Sequence, residues 1–100
     1  MEAAINYLRE ACAIRGKIIA DHPEHHTTAR DLCLSLVGLA QCESDLLRIA
    51  DARAHFDEAT RLAERITRAL PDTQAMIDAA NYVAELRANF ELLHPATTPH

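Results

Sequence analysis

The chain is 100 residues long, 49% apolar but only 4% aromatic, and its 15 acids outnumber 10 Lys and Arg for a formal charge of −5. That length gives one domain with one core, and acids and bases that are spread without a basic stripe exclude nucleic acid as the expected partner. No apolar run reaches membrane-spanning length, Met1-Glu2-Ala3-Ala4 lacks the features of a signal peptide, and Cys12, Cys33 and Cys42 have no C-x-x-C spacing, so a reducing, cytoplasmic setting without disulfides or membrane contact is expected.

Two glycines and four prolines leave long stretches free of breakers, which predicts an all-α fold. The first helix is expected from Glu2 to Asp21, with Ala4, Leu8, Ala11, Ile14 and Ile18 as its apolar stripe and Tyr7 beside it. Gly16 costs this helix about 1 kcal/mol relative to alanine if solvent reaches it. The second helix is expected from Glu24 to Glu43. Leu32, Cys33, Leu34, Leu36, Val37, Leu39 and Ala40 cover nearly every direction around its axis, so it needs neighbours on more than one side and belongs between the first and third helices. The third helix begins at a Ser44 or Asp45 cap and stops at Pro71, which restricts Leu70 and lacks an amide. Its stripe is Ile49, Ala52, Phe56, Ala59, Ala63, Ile66 and Leu70, opposite a charged face expected to be solvated. The fourth helix, Thr73 to Leu93, carries Met76, Ala79, Val83, Leu86, Phe90 and Leu93 at spacings of three and four. Connections at His22-Pro23, Glu43-Ser44-Asp45 and Pro71-Asp72 are short, which makes successive helices antiparallel. Residues 1–94 are read as one helical domain and residues 95–100 as a disordered C-terminal tail.

The first and third helices echo one another. Ala4, Ala11, Ile18 and Pro23 recur 48 positions later as Ala52, Ala59, Ile66 and Pro71, and a period of that size signals stacked helical hairpins. The pattern resembles the tetratricopeptide repeat (TPR) family, in the long-helix variety of kinesin-light-chain-like and many bacterial proteins. Leu34, Val37 and Gly38 match the first helix of that repeat, and Ala52, Phe56, Ala59 and then Pro71 match the second. Ala4, Leu8, Ala11 and Pro23 look like the second helix of a preceding repeat. Residues 73–93 look like the first helix of a following one, with Val83 and Leu86 in place and Arg87 where glycine stands in the family. The resemblance covers roughly residues 4–93. The 48-residue period is longer than usual, Leu34 replaces an aromatic residue, and the turn at Cys42–Asp45 lacks the family's glycine. A closed four-helix bundle is the alternative to the right-handed superhelical stack that the resemblance implies.

The resemblance implies a non-enzymatic adaptor or scaffold that binds a protein or peptide along a concave groove. By position that groove holds Leu32, Ser35, Leu39 and Cys42 from the second helix and Asn81, Ala84, Ala88 and Glu91 from the fourth. Ser35 and Leu39 stand where carboxylate-clamp members carry Lys and Asn, so chaperone-tail binding is not implied. The expected helix-packing seam is Ala4, Ala11, Gly38, Ala52, Phe56 and Ala59, with Gly38 and the alanines permitting close approach of the second and third helices. One full repeat between two half-repeats leaves the terminal helices each with an unfilled face, so a homodimer is expected unless the chain is part of a longer array. A purely self-associating structural bundle is the alternative function, and a metal-binding or enzymatic bundle the third.

No catalytic residues are expected, because there is no nucleophile elbow, phosphate-cradling loop or paired carboxylate, and Ser35 and Ser44 have no evident base. No metal or cofactor is expected either. The run Asp21-His22-Pro23-Glu24-His25-His26 contains potential ligands, but it straddles a proline turn and its side chains are expected to diverge. Glu91 and His94 have Glu-x-x-His spacing without the second copy that a di-iron bundle needs. His55 lies within helical reach of Asp51 and Glu58, where a solvated pair is expected.

Overall fold

The computed structural model describes residues 2–96. The described chain is all-α, with α1 (Glu2–Asp21), α2 (His26–Asp45), α3 (Ile49–Ala69) and α4 (Gln74–Leu93) joined by short corners. Of the expected tail, Pro95 and Ala96 follow the end of α4, and residues 97–100 lie outside the described residues.

Each corner has its own chemistry. Between α1 and α2 the chain turns at Pro23, and the His25 amide donates to the His22 carbonyl at 3.0 Å. Arg65 of α3 donates to the Pro23 carbonyl at 3.2 Å. The α2–α3 corner differs from expectation, since Ser44 and Asp45 form the last turn of α2 rather than the cap of α3. The Arg48 amide donates to the Glu43 carbonyl at 2.8 Å and the Leu47 amide to the Ser44 carbonyl at 2.9 Å. This is the Schellman pairing, which calls for a left-handed residue just past the helix end. Leu47 supplies it at φ 60°, in a place where glycine is the usual signal. At the third corner Leu70, the residue before Pro71, leaves the helical region at φ −132° and ψ 67°.

Helix α2 packs against all three of the others, and α3 also packs on α4. α1 and α4 make no close backbone contact among the described residues. The core is built from α2 outward: Leu32, Cys33, Leu36, Val37, Leu39 and Ala40 are buried, and α3 meets them with Ala52, Phe56, Ala59, Ala63 and Ile66. The Cys33 thiol lies 3.8 Å from the Ala59 carbonyl, a contact with backbone that the alanine's small side chain allows. α4 contributes Met76, Ala79, Val83 and Phe90, with the Phe56 and Phe90 rings 5.0 Å apart. Such a tilted aromatic pair contributes about 0.5–1.5 kcal/mol beyond its buried area. Leu93 continues the spacing in sequence but is exposed on the last turn of α4.

Helix α1 uses a different face from the one expected. Ile5 and Ile19 are buried, and Leu8 and Cys12 are half-buried, whereas Ala4, Ile14 and Ile18 are exposed and Ala11 is half-buried. Both sets have helical spacing. The two buried isoleucines fix the rotation, and α1 has close backbone contact with α2 alone, so only one narrow face is covered. Gly38 likewise faces α1 and not α3, as a Cβ built there meets Leu8 at 3.5 Å. That is ordinary van der Waals distance, so glycine is not required there for the helices to approach.

Candidate functional site

A cleft of about 510 Å³ lies over the C-terminal half of α2, between α1 and α4. Leu8 forms one wall; Leu86, Asn89, Phe90 and Leu93 form the other; Phe56 of α3 reaches the base. The α2 floor is Gly38, Gln41, Cys42 and Asp45, with Ser44 at the end. The floor positions follow helical i, i+3, i+4, i+7 spacing, so they share one face. The cleft thus combines apolar surface from Leu8, Phe56, Leu86, Phe90 and Leu93 with the amide, hydroxyl and carboxylate groups of Gln41, Asn89, Ser44 and Asp45. Its volume is typical of sites that take small molecules or short peptide segments.

Of the eight residues expected to line a groove, Cys42 alone lines this cleft. Leu32 and Leu39 are buried, and Ser35 is buried where its hydroxyl accepts a 2.6 Å hydrogen bond from Arg15 of α1. Those three belong to faces of α2 covered by other helices. Asn81, Ala84 and Ala88 are exposed on α4 away from the cleft. Glu91 is half-buried and turned toward α3, 3.6 Å from Arg53. The same Arg53 donates to the His94 carbonyl at 2.7 Å and lies over the Phe90 ring, 5.1 Å from its centre. It thereby seals the end of α4 against α3. Ala4 stands on the solvent side of α1, while Gly38, Ala52, Phe56 and Ala59 lie at helix contacts.

A second polar centre lies inside the fold. Glu43 is 1% exposed, yet it is an acid. One carboxylate oxygen is 2.6 Å from Nδ1 of His55 on α3, and the other is 4.0 Å from Arg9 on α1. A buried carboxylate survives only with such partners. His55 therefore turns inward to Glu43, and not to Asp51 or Glu58 in solvent. The signal was present in the sequence, because Leu36, Leu39, Ala40 and Glu43 continue one helical stripe. Cys12 sits close to this centre, and its thiol is pushed up by burial first, then by Glu58, with Glu43 adding and Arg15 opposing. Burial pushes the Cys33 thiol up to about 12. Both cysteines are held as neutral thiols near neutral pH, which makes them poor nucleophiles.

The His-rich corner converges more than its proline suggests. Ligand atoms of His22, Glu24 and His25 lie within 4.8 Å of one another, all on exposed side chains. The two imidazole rings stack at 5.0 Å, and His22 Nδ1 is 3.5 Å from the Glu24 carboxylate. The carboxyl of Glu24 is held below the usual range by its own backbone amide, with the neighbouring imidazoles adding to the effect. These are the residues that could hold a transition-metal ion, on side chains that are all exposed to water.

Comparison with protein-family models, with curated proteins and with solved structures gave no match for this chain.

Proposed function

We propose that this chain is a non-enzymatic protein–protein interaction module, a TPR-like adaptor or scaffold, whose α1/α2/α4 cleft takes an apolar helix or extended peptide segment of a protein partner. The observation that carries this reading is the cleft itself. Leu8, Phe56, Leu86 and Phe90 offer apolar surface, while Gln41, Ser44, Asp45 and Asn89 offer orienting hydrogen bonds. That combination suits segments that insert apolar side chains and are aligned by a few polar groups. The separation of α1 from α4 supports an open stack over a closed bundle, since a bundle brings its first and last helices together. Cys42 is the sole thiol of the cleft lining, which holds no histidine among the described residues. The Glu43–His55 pair is not among the residues that line the cleft, which favours binding over catalysis there.

A peptide-display selection against the full chain tests this. Peptides with two or more large apolar residues should be enriched, and Leu93→Asp should weaken their binding at least about tenfold. Leu93 is exposed, so the melting temperature should not move. Selected peptides that bind Leu93→Asp and Gln41→Lys as well as the wild type would place binding elsewhere.

A further inference from the structure

Helix α1 carries a second apolar stripe, on a face that none of the other helices covers. Tyr7 is 70% exposed, Ile14 56% and Ile18 36%. Ala4 and Ala11 fall between and before them, so positions 4, 7, 11, 14 and 18 follow the alternating three–four spacing of a coiled-coil seam. The stripe runs about 21 Å along the helix at 1.5 Å per residue. A depression of about 340 Å³ opens over Ala11, lined by Tyr7, Glu10, Ala11, Ile14 and Arg15. The first four of these are residues i, i+3, i+4 and i+7, the four-residue frame that receives one side chain from a facing helix.

We infer that this face of α1 pairs with the same face of a second copy of the chain, antiparallel and two-fold symmetric. With Ala11 opposite the partner's Ile14, that isoleucine fills the depression, and symmetry places Ile14 in the equivalent depression on the other copy. The same register sets Tyr7 opposite the partner's Ile18. It also sets Glu10 beside the partner's Lys17 and Lys17 beside the partner's Glu10. Both residues are exposed, and neither has an ion-pair partner among the described residues. A parallel pairing would instead direct Glu10 to the partner's Arg15, which is already half-buried and donating to Ser35. The flanks of the stripe mix acids and bases, unlike the cationic flanks of a helix that lies on a membrane. Another protein could match the stripe, but the ion pairs close on themselves only when both sides are the same sequence.

A seam of one helix face is small, so the dimer is expected to be modest, with Kd on the order of 10–100 µM. Sedimentation velocity on the full chain in reductant, from about 5 µM to about 1 mM, reads it directly. Ile14→Arg should weaken dimerisation at least about tenfold. Glu10→Lys should weaken it roughly three- to tenfold, and Glu10→Lys combined with Lys17→Glu should restore it to within about twofold. Circular dichroism checks that the fold persists, and Tyr7→Ser replaces Ile14→Arg if it does not. A chain that is monomeric at the highest concentration, a dimer indifferent to both seam variants, or a charge swap that fails to rescue would overturn the inference. The cleft can bind its peptide in every one of these outcomes, so its test stands apart.

Discussion

Helices α1 and α3 present the same recurring residues and receive opposite treatment from the fold. In α3, Ala52, Phe56, Ala59 and Ile66 are all buried against α2 and α4. In α1, the matching Ala4 and Ile18 are exposed, and the matching Leu8 and Ala11 are only half-buried. α3 has neighbours on two sides and α1 has close backbone contact with one. A repeated pattern therefore specifies a helix and an apolar stripe, while the number of neighbouring helices decides whether that stripe becomes core. Where neighbours are few, the bulkier residues on an adjacent stripe, here Ile5 and Ile19, take the contact instead.

The largest effect that separates the two helices comes from burying a charge at each matching position. Ala52→Asp should cost more than about 4 kcal/mol, since it drives a carboxylate into a site without a partner. Ala4→Asp should stay within about 0.5 kcal/mol, in the first turn of a helix where an acid is tolerated. Chemical denaturation of both variants makes the measurement. Equal losses would mean that α1 is packed like α3. The next effect falls on the residue that touches both helices. Glu43→Ala should cost about 3 kcal/mol because it strands His55 and leaves a void, and Glu43→Met should cost less by filling the space without charge. If Met proves as costly as Ala, the carboxylate contributes more than its volume. The smallest effect is a gain. A Cβ added at Gly16 meets nothing within 4 Å, so Gly16→Ala should stabilise the chain by about 0.5–1 kcal/mol through helix propensity. A loss would show that α1 packs more tightly at its middle than Ile14 and Ile18 indicate.

Much of the fold was legible because three–four spacing and proline positions are local signals. The α3 stripe and the Pro71 stop follow from them, as does the central place of α2. The α2–α3 corner was not legible, since Leu47 occupies a left-handed position that sequence rules assign to glycine, and Ser44 imitates a cap. The rotation of α1 was not legible either, because Ala4/Ala11/Ile18 and Ile5/Cys12/Ile19 are equally good helical stripes, and only tertiary contact chooses between them. The cleft differs from the anticipated groove for a related reason. Leu32, Ser35 and Leu39 are ordinary α2 residues in sequence, and whether they line a groove depends on which neighbour covers which side. The Glu43–His55 contact crosses two helices, although the stripe that leads from Leu36 to Glu43 did point inward.

Glu43 closes the α2–α3 corner through its carbonyl while its carboxylate reaches Arg9 and His55. One position is thereby pinned to three helices at once. An insertion or deletion at this corner would rotate Glu43 out of register with both partners, so its length should be the least negotiable in the chain. The linker at Pro71-Asp72 carries no comparable tether among the described residues, and it is there that natural or engineered length variation should be tolerated most easily.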